Sequence, residues 1–160
     1  MSENILEQIG KIANETNSKV VTLRKGETVI EVEKDNLRNF ITHLVQDLKV
    51  RNLTTITGLD LGQEIGIMYH FSYERETIHV RTKVAKTSAA PSIVKIIPGA
   101  ILYEMEVHDM FGTGFEGNPW NDKKLLLPDN WPSDLPPPLL KSSKPAEIRK
   151  RLHLEAEPKK

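Results

Sequence analysis

Residues 53–84 read LTTITGLDLGQEIGIMYHFSYERETIHVRTKV and hold three β-strands in succession. Leu53 to Leu61 is rich in threonine and isoleucine. Gly62 and its neighbours turn the chain, Ile65 to Tyr73 returns, Glu74-Arg75-Glu76 turns it again, and Thr77 to Val84 runs out once more. β-Branched and aromatic side chains suit a pleated, half-buried surface. Three such runs at hairpin spacing predict an antiparallel meander.

Working outward, Ser2 can cap a first helix that carries Ile5, Leu6, Ile9, Ile12 and Ala13 on one side. Val20 to Leu23 is short and β-branched, Lys25-Gly26 can turn the chain, and Thr28 to Val32 alternates as a second strand. Asp35 then starts an amphipathic helix. Leu37, Phe40, Ile41, Leu44, Val45 and Leu48 follow helical spacing, with Arg38, Asn39, Thr42 and Gln46 facing outward. The order α-β-β-α-β-β-β predicts an α+β fold: a two-layer sandwich with helices on one face of a mixed five-stranded sheet. No internal repeat is visible.

Lys86 to Pro91 reads as a loop, and Ser92 to Ile97 as a short helical turn. A helix follows, with Pro98 suited to its first turn and Gly112 to a left-handed stop. It is apolar on nearly every side, yet Glu104, Glu106, His108 and Asp109 are set among Ile101, Leu102, Tyr103, Met105, Val107, Met110 and Phe111. A helix apolar all round is normally enclosed, and enclosed carboxylates need partners. Another chain is one source of such partners. After Gly112, glycines and prolines prevent continuous helix or central strand. Trp120, Trp131 and Leu125-Leu126-Leu127 are too apolar for a tail left wholly in water. This gives two units: a compact α/β domain over 1–112, including the signature helix, and an extended, partner-wrapping arm over 113–160. Pro136-Pro137-Pro138 reads as a stiff spacer, Ala146 to Leu154 as a short basic helix, and Glu155 to Lys160 as frayed.

The stretch Tyr103-Glu104-Met105-Glu106, Asp109-Met110-Phe111-Gly112, Phe115-Glu116-Gly117-Asn118-Pro119, Lys123-Lys124-Leu125-Leu126-Leu127-Pro128 and Asp129-Asn130-Trp131 resembles the C subunit of NADH:quinone oxidoreductase (complex I, the 30-kDa subunit family). It is also similar to the accessory subunit of membrane-bound energy-converting nickel–iron hydrogenases. The match covers about a fifth of the chain in detail. Met105 departs from the family's usual arginine, and the sequence after Trp131 departs as well. The short length and Val107-His108-Asp109 look more like the hydrogenase branch.

The resemblance implies a non-catalytic accessory subunit of a membrane-associated multisubunit oxidoreductase, docked on a hydrogenase-like large subunit. A small iron–sulfur subunit would sit nearby, with membrane subunits reached indirectly, on the cytoplasmic side of the membrane. Iron–sulfur clusters and nickel–iron would belong to those partners, with no cofactor in this chain. The implied interface residues are Tyr103, Glu104, Glu106, His108, Asp109, Phe111, Gly112, Phe115, Gly117, Pro119, Lys123, Lys124, Leu127, Pro128 and Trp131. The alternative within the family is the C subunit of an NADH- or deazaflavin-linked quinone-type dehydrogenase.

Composition is consistent with this. The 160 residues carry 22 basic and 22 acidic side chains, which argues against non-specific attraction to nucleic acid or anionic membrane. There is no cysteine, so thiolate catalysis, disulfides and all-cysteine metal sites are excluded within these residues. No apolar run approaches the roughly 20 residues that span a bilayer. Met1-Ser2-Glu3-Asn4 lacks the basic start of a signal peptide, so a soluble chain is expected.

The polar residues of the signature helix also bear on chemistry. Glu104 and His108 lie one turn apart and can pair across the helix. A metal site would need further ligands, and no second His/Glu pair has that spacing. Glu106 and Asp109 could divide acid and base roles, which is the basis of a rival reading: a free-standing small-molecule enzyme using residues 104–109. His43, His70 and His79 show no ligand spacing, and the glycines do not form a phosphate loop.

Overall fold

The computed structural model describes residues 3–24, 27–74 and 76–152. The chain runs α1 (Glu3–Glu15), β1 (Lys19–Arg24), β2 (Glu27–Glu31), a 3-10 turn (Lys34–Asn36), α2 (Leu37–Gln46), β3 (Asn52–Asp60), β4 (Glu64–Tyr73), β5 (Glu76–Ala85), β6 (Ala90–Pro91), α3 (Ala100–Phe111), β7 (Phe115–Glu116) and α4 (Pro145–Arg151). Five strands form one sheet in the order β1-β2-β5-β4-β3. The meander β3-β4-β5 is antiparallel, and so is the pair β1-β2. β2 joins β5 in parallel, which makes the sheet mixed, as expected. Ser2, Lys25-Gly26, Arg75 and Glu155 to Lys160 lie outside the described residues.

Alternation sorts the sheet into two faces. Ile56, Ile67, Tyr69, Phe71, Ile78 and Val80 join the apolar core with Ile9 and Ile12 of α1 and Phe40, Ile41 and Leu44 of α2. The opposite face carries Met68, His70, His79, Arg81 and Glu31, none of which belongs to that core. Helix α3 packs along the edge strand β3. Gly58 makes the approach possible: a Cβ there would sit 2.5 Å from the Phe111 ring, closer than carbon atoms tolerate.

Two expectations are corrected. The signature helix begins at Ala100 with Gly99 at its N-cap, and Pro98 lies in the preceding turn. The cause is local: Ala100 N–H bonds the Ile97 carbonyl at 3.0 Å, closing a tight turn first. Residues 86–91 are not wholly loop, because Ala90–Pro91 pairs in parallel with Phe115–Glu116. Ala90 N–H donates to Gly114 O at 2.8 Å and Ser92 N–H to Glu116 O at 3.0 Å. This small sheet brings Phe115 into the core, where it is buried.

The segment after Gly112 lies back on its own domain at several points. Leu139 N–H donates to the Met110 carbonyl at 3.0 Å. Lys141 N–H donates to Asp60 Oδ2 at 2.8 Å, and Asp60 also accepts from Gly62 N–H at 2.8 Å and Lys86 Nζ at 2.9 Å. The Lys86 ammonium first, then the Lys141 and Gly62 amides, hold the Asp60 carboxyl down to about 2 from its ordinary 3.8. A depressed carboxyl stabilises the fold above its unfolded value, and that contribution is lost as pH falls through the folded one. Asp60→Asn is therefore expected to flatten the acid limb of stability between 3.8 and about 2, read as urea midpoints across pH. An unchanged acid limb would show that this clasp does not titrate with unfolding. Among the described residues, no helix is long and apolar enough to cross a membrane.

Candidate functional site

Helix α3 inverts the usual pattern: it buries carboxylates and exposes leucine. Glu104 is 0% exposed and Asp109 3%, while Leu102 is 48% exposed. Each carboxylate finds its partners within the chain, among residues that follow or precede the helix.

Glu104 Oε1 accepts Ile93 N–H at 2.7 Å, and Oε2 accepts Asn118 Nδ2 at 2.9 Å. Burial pushes its carboxyl above the ordinary 4.5, while the Ile93 amide, the Ser92 hydroxyl, the Asn118 amide and the Arg38 charge pull the other way. Tyr69 reaches the same region from β4. Its hydroxyl is buried without a hydrogen-bond partner among the described residues, and burial, then the Glu104 charge, raise its pKa well above 10.0. Arg38 of α2 adds a brace from outside: its Nε donates to Ser92 O at 3.0 Å, and its Nη2 to Glu116 O.

Asp109 is the second anchor. Its Oδ2 accepts three successive backbone N–H groups, those of Leu125, Leu126 and Leu127, at 2.8, 2.6 and 3.1 Å. Successive amides turned toward one oxygen form an anion-holding nest. Here the nest grips a carboxylate of the same chain and fixes the triple-leucine loop beside α3. Leu125 and Leu126 are left outward and exposed, with Leu127 half-buried.

The expected Glu104–His108 pair is absent, because each turns to a backbone partner. His108 Nδ1–H donates to Thr113 O at 3.1 Å. Gly112 takes φ 74° as the left-handed cap, and a Cβ there would meet Pro137 Cγ at 2.9 Å. The proline run thus packs over the helix end. Tyr103 and Phe111 are half-buried against the core, and Glu106 is exposed on a shallow groove it shares with Thr57, Met110 and Leu139.

Phe115 N–H donates to Asn121 Oδ1 at 2.6 Å. Gly117 lies in a turn beside Arg38, Pro119 and Pro128 are exposed, and Lys124 Nζ reaches Asp129 O at 3.4 Å. Lys123 Nζ stands 5.5 Å from the Trp120 ring centroid, within cation–π range. Trp131 is half-buried and its indole N–H donates to Leu135 O at 3.2 Å. Met105 is buried, so the family's usual guanidinium would need a buried partner at this position. Arg38, Asn118, Asn121 and Tyr69 are the residues that sequence reasoning missed.

Residues 30–148 match the protein family described as respiratory-chain NADH dehydrogenase, 30 Kd subunit. The chain belongs to this family. It is 30% identical over 138 residues to the NADH-quinone oxidoreductase C subunit of Rhodobacter capsulatus, covering 81% of this chain and 68% of that one. It is 32% identical over 117 residues to the corresponding C subunit of Acidothermus cellulolyticus, covering 68% and 60%. With the C subunit of Ruegeria pomeroyi the figures are 33% over 111 residues, covering 65% and 54%. The chain thus spans between about half and two thirds of these relatives' own length. A chain of the membrane-bound sulfane sulfur reductase (MBS), an archaeal respiratory membrane complex, superposes with a TM-score of 0.76 at 23% identity. That likeness covers 99% of this chain and 97% of the other, and shows a shared fold. Of the signature residues, Glu104, Asp109 and Phe115 tie the segment after the helix to the helix and core, and Gly112 caps the helix.

Proposed function

We propose that this chain is a non-catalytic accessory subunit of a membrane-associated multisubunit oxidoreductase, and that it docks on a hydrogenase-like large subunit. The observation that carries the proposal is the placement of exposed apolar side chains. Of the exposed large hydrophobic side chains among the described residues, Leu102, Trp120, Leu125, Leu126 and Leu139 belong to α3 or to the arm, while Leu59 and Leu61 lie at the end of β3 and just after it. Scattered surface leucines need no explanation, but their concentration on α3 and on the arm it holds supports an interaction surface there. Glu104 and Asp109 hold backbone donors with the oxygens a catalyst would need free, which supports assembly over acid–base chemistry. The small iron–sulfur subunit, membrane subunits and a cytoplasmic-side location belong to the same proposal, and clusters and nickel–iron to the partners.

A second reading is the C subunit of a complex I-like dehydrogenase, favoured by the names of the curated relatives. One experiment serves both. The tagged chain is purified from its host in mild detergent, as wild type and as Leu102→Asp/Leu126→Asp. The wild type is expected to recover a large subunit whose cysteine motifs identify hydrogenase or dehydrogenase. The variant is expected to lose it while melting normally when isolated, since both side chains are exposed. Equal recovery by both proteins would overturn docking through this surface.

A further inference from the structure

One edge of the sheet is left open where the signature helix passes. β3 is an outer strand and pairs only with β4. Leu61 N–H donates to Glu64 O at 2.9 Å, so these two residues form a hydrogen-bonded pair at the hairpin. Bonded pairs recur at every second residue of an antiparallel ladder. Leu59, Thr57 and Thr55 therefore bond β4, while Ile56 and Gly58 turn their N–H and C=O groups outward. No hydrogen bond to those outward groups is present among the described residues. Helix α3 covers the inner side of the strand, where Phe111 lies against Gly58 and Ile56 joins the core, and leaves the edge free. A groove of about 190 Å³ runs there over Thr55 to Gly58, walled by Val107, Met110, Phe111 and Leu139, with Glu106 exposed at its rim. Leu59, 58% exposed, stands near the end of the same strand with no cross-strand neighbour on its outer side. Proteins usually guard such edges with lysine, proline, bulges or short strands. β3 has nine residues, no proline and no basic side chain, and its bulge lies at one end, between Leu53 and Thr55. β1, at the other edge, is shorter and carries Lys19 and Arg24.

We propose that the outer edge of β3 at Ile56 and Gly58 is a strand-addition site for an extended segment of the docked large subunit. The site rests on the docking proposed above and names one of its contacts. Donors and acceptors repeating at every second residue are matched by another strand, about 4.8 Å away. The groove beside them takes one apolar side chain of that strand, against Met110, Phe111 and Leu139. A helix of about 10–12 Å diameter is too wide to reach the same backbone groups. On the sheet's open face, a side chain of the added strand covers Leu59 as its new cross-strand neighbour. Glu106 sets the charge: the segment carries a lysine or arginine where it passes the rim. A second copy of this chain fits less well. Two-fold pairing of β3 with itself would bring both Glu106 carboxylates to one interface, and like charges oppose it.

The test is hydrogen exchange resolved to single amides, on the isolated full chain and on the complex purified from the host in mild detergent. In the isolated chain the Ile56 and Gly58 amides should exchange fast, while those of Thr57 and Leu59 are protected by β4. In the complex Ile56 and Gly58 should slow by about 100-fold or more. Glu106→Lys should cut recovery of the large subunit about 10-fold and, because Glu106 is exposed, melt like the wild type when isolated. Recovery of the large subunit with Ile56 and Gly58 still fast would overturn strand addition and leave docking standing. Recovery of the chain alone would overturn both. Protection in the isolated chain that grows with its concentration would give the edge to a second copy and overturn the partner strand. Full recovery by Glu106→Lys would overturn the basic residue at the rim.

Discussion

Glu104→Ala is expected to lower the stability of the isolated chain by about 3 kcal/mol, or a fall in Tm of about 10 °C, measured by thermal and urea unfolding. The change strands the Ile93 N–H and the Asn118 amide, both bonded to Glu104 in the interior, and leaves a void between them. Glu104→Gln separates shape from charge. Glutamine can still accept from Ile93, but its own amide then faces the Asn118 amide, whose oxygen is held by Trp120 N–H. A loss of about 1 kcal/mol follows near neutral pH. The pH dependence has a definite sign. Burial raises the Glu104 carboxyl, so the folded chain holds that proton more firmly than the unfolded one. The resulting stabilisation is complete below the ordinary 4.5 and is lost as pH rises through the folded value. The glutamine variant should lack that decline. A wild-type curve without it would mean Glu104 is held as a carboxylate as easily folded as unfolded.

Asp109→Ala is expected to act more locally and more visibly on function. Three amides lose their shared acceptor, but their residues lie near solvent, so water replaces much of the loss. A global cost of about 1–2 kcal/mol is expected. The triple-leucine loop, however, loses what holds it. Hydrogen exchange at Leu125–Leu127 should rise toward unprotected rates, and trypsin should cut faster at Lys123 and Lys124. Under the proposed docking, recovery of the large subunit should fall with it, because Leu126 no longer sits beside α3. Asp109→Asn keeps one carbonyl oxygen and should fall between. Full protection of the three amides in the alanine variant would show that the loop is held by something else.

The regular part of the fold is legible from periodicity alone. Leu37, Phe40, Ile41 and Leu44 all point inward from α2, and residues 53–84 form the meander the turns announce. The site is less legible, and the reason lies in its donors. Glu104 and Asp109 are held chiefly by backbone N–H groups of loop residues, and a backbone amide leaves no mark on residue type. Arg38 follows the outward side of α2 as expected, yet its length carries the guanidinium to the Ser92 and Glu116 carbonyls. His70 and His79 meet across β4 and β5, and that pairing follows from the Tyr73–Glu76 turn register, whereas periodicity assigns each only to a face. Helical spacing suggested Glu104 with His108, but both side chains find better partners off the helix.

The nest around Asp109 also has a consequence for the order of synthesis. Leu125–Leu127 follow Asp109 by 16 to 18 residues. Until that stretch leaves the ribosome, the newly formed helix holds an aspartate with no amides to receive it. A chain stalled or clipped before Leu125 would carry the sheet, the helix and Leu102 but lack Leu125, Leu126 and Leu139. The proposed docking surface is thus completed only after the sheet and the helix, and a chain cut before Leu125 has no finished face to offer a partner.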